Sequence, residues 1–152
     1  MRNVSPRFFV DTNVLAYAYD ETDDVRRERA LAAIERLRAS RTGAISTQVL
    51  GELYRALTRE RGIGMAPEVA EERVLSYAYS WPVFDVRPLN VVEALRGLRA
   101  HKLSYYDALI WATARLNGIP FLLSEDGQAG RLIEGVRTLN PLAPDFDLGL
   151  IT

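Results

Sequence analysis

Four acidic residues of this chain lie where a predicted strand ends or a predicted helix begins. They are Asp11, Glu52, Asp107 and Asp126. In an open parallel α/β sheet, ligands bind in the crevice outside the carboxyl ends of the strands. Four carboxylates gathered there repel one another unless a cation neutralises them, and an all-oxygen acidic site suits Mg²⁺ or Mn²⁺. The pattern therefore predicts a site for metal-dependent hydrolysis of phosphodiesters.

Two of these acids also have an interpretation as helix caps. Asp11 could cap a helix, although Thr12 and Asn13 could do so equally well. Asp107 lies three residues after Ser104 and resembles the acidic member of a capping box, so taken alone it favours the cap. A carboxylate at a helix N-terminus can also face a metal ion, and the two roles are compatible.

The other two acids have different structural alternatives. Glu52 lies past the first turn of its predicted helix, at the margin of an apolar stripe, where an acid is costly unless it is paired or coordinated. Helix spacing would also allow Glu52 to pair with Arg55 or Arg59. Asp126 could be a turn residue, and its neighbour Glu125 could be the functional acid instead. Taken together, the four positions favour a functional site. Otherwise four independent structural explanations, one for each acid, would all have to hold at topologically equivalent positions of the fold.

The elements that must position these acids alternate between short apolar strands and longer helices. Strands are predicted at residues 7–10, 43–46, 82–86, 121–123 and 135–139. Helices are predicted at residues 14–19, 25–40, 47–61, 67–79, 91–101 and 105–117. This alternation indicates parallel pairing through helical crossovers. We expect an α/β fold, a three-layer α/β/α domain over residues 1–152, with a four- to five-stranded mainly parallel sheet and an irregular tail from about residue 141.

Length and composition suit one globular domain, since 152 residues can bury a sizeable core. The chain has no cysteine, which excludes disulfides and thiolate metal ligands. No apolar run approaches the ~18 residues of a membrane helix, and the N-terminus lacks a signal pattern, so we expect a cytoplasmic protein. The net charge of −1 gives no global attraction to nucleic acid. Such binding would need a local basic strip or metal ions.

Other residues that could do chemistry have stronger structural explanations. The only histidine, His101, ends a predicted helix, where it is more often solvated than catalytic. The chain has no nucleophile elbow and no glycine-rich phosphate loop in a strand–turn–helix setting. Several aromatic residues could stack on bases but are more often core at helical spacing: Tyr54, Tyr105, Tyr106 and Trp111.

The predicted helix at residues 25–40 and the residue after it are rich in arginine. The arginines are Arg26, Arg27, Arg29, Arg36, Arg38 and Arg41. Such a run is usually a solvated face and less often lines a groove for phosphates.

Four blocks of sequence, in order and at suitable intervals, resemble those of PIN-domain nucleases. The blocks are FFVDTNVL at residues 8–15, ISTQVLGE at 45–52, SYYDA at 104–108 and LSEDG at 123–127. The ending, from residues 133–137 through Asn140 and Pro141, is similar to the VapC-type toxin branch of that family. The resemblance spans nearly the whole chain.

The resemblance implies a parallel sheet, an acidic site for Mg²⁺ or Mn²⁺, and an endoribonuclease that hydrolyses single-stranded RNA. The family's site residues correspond to Asp11, Glu52, Asp107 and Asp126, with the hydroxyl residue Ser124 nearby. The resemblance also implies a homodimer and inhibition by a cognate antitoxin, whose tail places a basic side chain in the site. Where some members carry a further acid after the position of Asp126, this chain has Gln128, which bears on the number of metal ions.

The predicted mechanism divides the work among the four acids. Asp11 and Asp107 would bind the principal ion directly, and Asp126 would bind it directly or through water. Glu52 would orient or activate the attacking water. The candidate dimer contacts are aromatic residues of the helices at residues 14–19 and 67–79, although ordinary burial would explain them equally well: Tyr17, Tyr19, Tyr77 and Tyr79.

Two rival functions stay open on the sequence. One is a phosphatase in which Asp11 attacks phosphorus, but Asn13 stands where such enzymes generally have a second acid. Lys102, the only lysine, is poorly placed to bind the phosphate. The other rival is a non-catalytic binding module whose acids simply cap helices.

Overall fold

The computed structural model describes residues 5–126 and 129–152. In that part of the chain the strands are β1 (Phe8–Val10), β2 (Gly43–Ser46), β3 (Val83–Phe84), β4 (Phe121–Leu123), β5 (Leu132–Ile133) and β6 (Val136–Leu139). The α-helices are α1 (Thr12–Tyr17), α2 (Asp24–Ser40), α3 (Thr47–Thr58), α4 (Pro67–Ser80), α5 (Pro88–His101) and α6 (Tyr105–Leu116). A single 3-10 turn, Leu148–Leu150, follows within the C-terminal tail.

The six strands form one sheet in the order β3-β2-β1-β4-β6-β5. Every neighbouring pair is parallel except β5 and β6, which form an antiparallel hairpin at one edge. The α/β fold with a mainly parallel sheet is therefore confirmed, and the sheet has one strand more than predicted. Strand β5 was missed because it has only two residues, too few for any periodic pattern to show.

The order of the strands creates a crevice beside β1. The chain proceeds from β1 to β2 and β3 on one side, then returns to place β4 on the other side of β1. Ligands in open α/β sheets bind at such a reversal, outside the carboxyl ends of the strands. In the register of this sheet Val10 lies level with Leu123, so the residues that follow them, Asp11 and Ser124, leave the sheet side by side.

Helix packing fixes the elements that flank this crevice. Strands β1 and β2 are buried along their whole length. Helix α2 buries one stripe of apolar side chains at helical spacing: Ala30, Ala33, Ile34 and Leu37. Helices α5 and α6 pack very closely where Gly97 meets Trp111. A Cβ atom at Gly97 would lie 2.2 Å from the Trp111 ring. The indole Nε1 of Trp111 donates a hydrogen bond to the Ile133 carbonyl oxygen at 3.1 Å, which ties α6 to the edge hairpin.

Two helices begin earlier than the sequence predicted. Helix α1 begins at Thr12 rather than residue 14, because the Asp11 carboxylate accepts a hydrogen bond from the Thr12 N–H. Helix α5 begins at Pro88 rather than residue 91. Proline suits the first helical position, and the Asn90 side chain accepts a hydrogen bond from the Arg87 N–H at 3.2 Å.

The tail after Pro141 is largely irregular, as predicted, but it is held against α2. Arg29 donates hydrogen bonds to the carbonyl oxygens of Pro141 and Phe146, at 3.0 and 2.7 Å. Ile151, next to the end of the chain, is buried in the core. No helix in the described ranges is both long enough and apolar enough to cross a membrane.

The four tyrosines considered as dimer contacts differ in exposure. Tyr77 is 1% exposed and belongs to the core, so its prediction as an exposed contact is wrong. It packs edge-on against Trp81, with ring centroids 5.6 Å apart. Tyr17 and Tyr19 are partly buried against the core, whereas Tyr79 is 86% exposed on α4.

Candidate active site

Asp11 is the most enclosed acid of the site. Its side chain is at the carboxyl end of β1, and only 7% of the residue is exposed. One carboxylate oxygen accepts a hydrogen bond from the Thr12 N–H at 2.7 Å, and the other accepts one from the Ser124 hydroxyl at 2.8 Å. Asp11 therefore caps α1, as its structural interpretation required, and also faces the crevice. Capping α1 therefore leaves the Asp11 side chain facing the crevice.

Ser124 joins the ends of β1 and β4. It is 2% exposed, and its hydroxyl oxygen accepts hydrogen bonds from the Asp126 N–H at 3.2 Å and the Asn13 side-chain amide at 3.3 Å. The side-chain oxygen Oδ1 of Asn13 accepts a further hydrogen bond from the Glu125 N–H at 3.1 Å. Asp11 and Asn13, which both follow β1, thus hold the segment after β4 through hydrogen bonds. These bonds fix the position of Asp126.

Asp107 and Asp126 complete a group of three carboxylates with Asp11. One carboxylate oxygen from each residue can be chosen such that all three lie within 4.8 Å of one another. Asp107 reaches this point from the first turn of α6, where the Ser104 hydroxyl caps the helix by accepting a bond from the Asp107 N–H at 3.3 Å. The cap predicted for this helix is present, and it presents the Asp107 side chain to the crevice.

Glu52 lies beside this group rather than within it. It is half-buried on α3 and lines the same pocket as the three aspartates. Its carboxylate accepts hydrogen bonds from the Thr12 hydroxyl at 2.9 Å and the Gln48 amide at 3.0 Å. Within residues 5–126 and 129–152, Glu52 forms no ion pair with an arginine. The pairing with Arg55 or Arg59 that helix spacing allowed is therefore not formed.

The crowding of acids raises the pKa of two carboxyl groups. Burial raises the pKa of Asp11 from its ordinary 3.8 to about 7, the hydrogen bond from Ser124 opposes this rise, and the charge of Asp126 adds to it. Partial burial also raises the pKa of Asp126 to about 6, and the adjacent charge of Asp107 adds to that rise. Without a cation, the site therefore holds protons near neutral pH.

The residues present fit a hard divalent cation. The three converging aspartates offer only oxygen ligands, the type that Mg²⁺ and Mn²⁺ prefer. The raised pKa values of Asp11 and Asp126 show that their negative charges are poorly compensated by the protein itself. A cation held by Asp11, Asp107 and Asp126 would supply that compensation. Glu52 as a further metal ligand stays a prediction.

The acids open into a pocket of about 420 Å³. Five acidic residues of the described ranges line it: Asp11, Asp20, Glu52, Asp107 and Asp126. Further side chains line the rest of its wall: Tyr17, Arg55, Arg59, Ile63, Tyr106 and Ile110. The pocket is thus acidic around the candidate metal site and carries cationic and aromatic groups elsewhere.

Other residues considered from the sequence lie outside the group of three acids. The carboxylate of Glu125, the alternative to Asp126, receives a hydrogen bond from the Arg26 guanidinium at 2.5 Å and is engaged in that ion pair. His101 lies 2.8 Å from Glu134 and does not line the pocket. Lys102 ends α5 and also lies outside the lining, so the fold gives no support to a phosphate-binding lysine. Gln128 lies outside the described residues.

Three residues with clear roles in the site were not found by reading the sequence. Thr12 holds Glu52, Asn13 holds the segment after β4, and Gln48 bonds both Glu52 and the Tyr106 carbonyl oxygen. The signal for Gln48 was its position one helical turn before Glu52 on α3. Thr12 and Asn13 follow Asp11 directly, but as capping residues they have an ordinary structural explanation that conceals these bonds.

Comparison with known proteins gives one family match. A family model described as PIN domain matches residues 8–133. A comparison with curated proteins gives no match.

Several solved structures share the fold. VapC20 of Mycobacterium tuberculosis, described as a toxin that cleaves the sarcin–ricin loop, is 28% identical with a TM-score of 0.62 over 84% of this chain and 97% of its own. A toxin–antitoxin complex from Klebsiella pneumoniae gives 20% identity and a TM-score of 0.63, over 88% of this chain and 96% of that one. A DNA-bound VapBC complex from Salmonella typhimurium gives 20% identity and a TM-score of 0.64, over 90% of this chain and 98% of that one.

The raised pKa of Asp11 predicts a pH-dependent stability when divalent ions are removed. From pH 3.8 to about 7 the unfolded chain has lost a proton that the folded chain keeps, so the free energy of unfolding falls as the pH rises. Asp11→Asn removes this proton, and its unfolding free energy should fall less, by roughly 2–4 kcal/mol, between pH 4 and 8. Urea denaturation in EDTA at several pH values measures the difference.

The exposed tail residue Asp145 offers a matched control, since Asp145→Asn removes a carboxyl outside the pocket. This variant should follow the wild-type pH dependence. Adding Mn²⁺ at pH 8 should stabilise the wild type more than Asp11→Asn, because the ion binds deprotonated carboxylates. Identical pH profiles for Asp11→Asn and the wild type would show that Asp11 ionises normally in the folded protein.

Proposed function

This chain belongs to the PIN-domain family, and from that premise we propose that it is a metal-dependent endoribonuclease acting on single-stranded RNA. We propose further that it is the toxin of a toxin–antitoxin pair. The observation that carries the enzymatic part is the convergence of Asp11, Asp107 and Asp126 from three separate segments into one pocket.

Each side chain of the site has a defined task in this proposal. Asp11, Asp107 and Asp126 would hold Mg²⁺ or Mn²⁺, and Ser124 keeps the Asp11 carboxylate in its orientation through their hydrogen bond. A bound ion would neutralise charge on the phosphate and lower the pKa of water. Glu52 lines the same pocket with its carboxylate held by Thr12 and Gln48, and we assign it the task of orienting the attacking water and accepting its proton. The water oxygen forms a bond to phosphorus as the bond from phosphorus to the leaving oxygen breaks, and the leaving oxygen takes a proton from solvent to become a hydroxyl end.

RNA is the substrate that the comparisons favour. The Mycobacterium tuberculosis protein that matches over most of its length is described as cleaving the sarcin–ricin loop. An RNA strand brings phosphates that suit a hard cation, and a single strand can bend a phosphate into a pocket more easily than a duplex can.

An antitoxin protein is the proposed partner. Two of the matching structures are complexes of a toxin with its antitoxin. In this chain the acidic end of the pocket would accept a cationic side chain from an inhibitor, which would take the place of the metal ion. The proposed setting is the cytoplasm, where such a pair would meet cellular RNA.

A homodimer is the proposed assembly. Helix α4 exposes Leu75 and Tyr79, four residues apart and so on one face of the helix. Exposed apolar and aromatic side chains on one face are typical of an interface core. The core residue Tyr77 takes no part in this surface.

Cleavage of RNA should depend on the aspartates and on a divalent ion. Asp11→Asn and Asp107→Asn should each reduce cleavage of a labelled single-stranded RNA by roughly 100-fold or more, since each removes a metal-facing charge. EDTA should stop the wild-type reaction, and Mn²⁺ should restore it. The control is Asp145→Asn, which should cleave at the wild-type rate.

Three results of this assay would overturn the assignment. Retained wild-type cleavage by either pocket variant, with metal present, would remove the aspartates from the mechanism. Release of phosphate from monoesters without cleavage of RNA would instead support the phosphatase. Absence of both activities would favour the non-catalytic binding module.

Expression of the chain alone should inhibit growth of a bacterial host, because free nuclease would degrade cellular RNA. Asp11→Asn should relieve the inhibition at equal protein levels, which immunoblotting would verify. Normal growth on strong expression of the wild type, with no partner gene present, would contradict the assignment as a toxin while leaving the nuclease open.

In solution the chain should have the mass of a dimer at micromolar concentration, as measured by light scattering. Tyr79→Arg should shift it toward a monomer, because it places a charge in the proposed contact surface. Leu150→Arg makes an equally large change at an exposed position in the tail and should leave the dimer intact. A monomeric wild type would reject the proposed assembly.

A further inference from the structure

We propose that the pocket continues along α3 as a binding track for the RNA strand, with Arg55 and Arg59 contacting phosphates and Tyr106 stacking on a base. We call Arg55 and Arg59 the phosphate track. The inference rests on the proposed function, since it assigns how the same pocket holds a single-stranded substrate beside the acids.

Arg55 shares one face of α3 with Glu52, and Arg59 is the residue that caps the C-terminus of this helix. Glu52, Arg55 and Arg59 are spaced by three and four residues, and all three line the pocket. At 1.5 Å of rise per residue, the Arg59 backbone lies about 6 Å beyond that of Arg55 along the helix axis. Two long cationic side chains anchored at this spacing can contact successive phosphates of an extended strand whose next phosphate lies over the acids.

Both guanidinium groups are available for a ligand. In the part of the chain that the structure describes, neither Arg55 nor Arg59 forms an ion pair. Both residues are exposed while lining the pocket. Two exposed arginines without an ion pair in the wall of an acidic pocket leave positive charge available to an anionic ligand.

The arginines of α2 show the contrast. Arg26 bridges Asp23 and Glu125, Arg27 pairs with Asp24, and Arg29 holds the tail. These three arginines of α2 are therefore engaged within the fold. Arg55 and Arg59, by contrast, line the pocket and supply local positive charge that a chain of net charge −1 does not supply globally.

The charges of the pocket are arranged for a polyanion that spans it. At the acidic end a phosphate is repelled unless a cation is bound, whereas at the α3 end it is attracted by Arg55 and Arg59. A single phosphate would gain little from this separation of charges. A strand that places one phosphate at the acids and its neighbours along α3 uses both ends.

Tyr106 provides the aromatic surface that a base requires. The residue is 64% exposed and lines the pocket directly before Asp107. Its main chain is fixed by the hydrogen bond from Gln48 to its carbonyl oxygen at 3.4 Å, and its ring packs edge-on against Tyr105 with centroids 5.4 Å apart. Trp111, by contrast, is buried in the core and has no face for a base. Stacked bases and a cationic groove together are typical of single-strand recognition.

Binding measured in EDTA, where no cleavage is expected, tests the phosphate track directly. Wild type, Arg55→Gln, Arg59→Gln and the double variant are titrated into a labelled single-stranded RNA oligonucleotide at several salt concentrations. Each substitution should weaken binding about 3- to 10-fold and reduce the slope of log affinity against log salt by about 0.7. Arg36→Gln removes a charge from an exposed position on α2 outside the pocket and should change neither quantity.

Tyr106 is tested by two substitutions that separate the ring from the hydroxyl. Tyr106→Phe should retain affinity, whereas Tyr106→Leu should lose about fivefold or more because it removes the stacking surface. This loss should persist at high salt, unlike that of the arginine variants. In cleavage assays all of these losses should raise KM more than they lower kcat.

The outcomes separate this inference from the proposed function. Wild-type affinity and salt slope in the double arginine variant would overturn the phosphate track, as would a wild type that binds no RNA both in EDTA and in Mn²⁺. Equal affinity for Tyr106→Leu and Tyr106→Phe would overturn the stacking role. Cleavage by the wild type together with unchanged binding by the variants would leave the nuclease standing. Reduced binding without any cleavage would leave the track standing and reject the nuclease.

Discussion

The architecture of this protein depends on one costly constraint, the burial of the Asp11 carboxylate at the end of the central strand. An isolated buried charge is unfavourable unless hydrogen bonds or a counter-ion compensate it. Here the Thr12 N–H and the Ser124 hydroxyl compensate part of the charge, and the raised pKa shows that the compensation is incomplete. The end of the central strand thus carries a carboxylate whose negative charge is only partly compensated, and a hard cation can compensate the rest.

The register of the sheet sets the geometry around that carboxylate. Val10 pairs with Leu123, and the hydroxyl that reaches Asp11 belongs to Ser124, the residue directly after β4. A slip of one residue would turn Ser124 to the opposite face of the sheet and break the bond. Asn13 then carries the same register into the segment that holds Asp126, through its bonds to Ser124 and Glu125. Backbone pairing and side-chain chemistry are therefore coupled at the point where β1 and β4 end.

The sequence predicted those features that follow from local periodicity and from the ends of elements. The cap at Ser104 follows from spacing and residue type alone, and the fold places it as expected. The meeting of Asp11 and Asp126 was also predictable, because parallel strands bring their carboxyl ends to one edge of a sheet. Asp107 reaches the same point from the first turn of a helix, as its capping position indicated.

What the sequence could not supply were choices among partners that are equally allowed by spacing. Glu52 could have paired with an arginine one or two turns away, but the fold brings Thr12 within 2.9 Å across 40 residues of chain. Strand β6 was predicted, but its hairpin with β5 was missed. The turn of this hairpin, at Glu134 and Gly135, uses two positive φ angles, 46° and 87°, and glutamate rarely signals such a turn.

The long separation between Asp11 and Ser124 has a consequence for synthesis of the protein. Their hydrogen bond spans 113 residues, and β4 is the strand that completes the sheet on that side of β1. A chain emerging from the ribosome therefore holds β1, β2 and β3 long before it holds the other wall of the site. Parallel pairings over such distances close slowly, because loop-closure entropy must be overcome before the contacts form. A nascent chain therefore cannot bring Asp11, Asp107 and Asp126 together until β4 and the residues directly after it have left the ribosome.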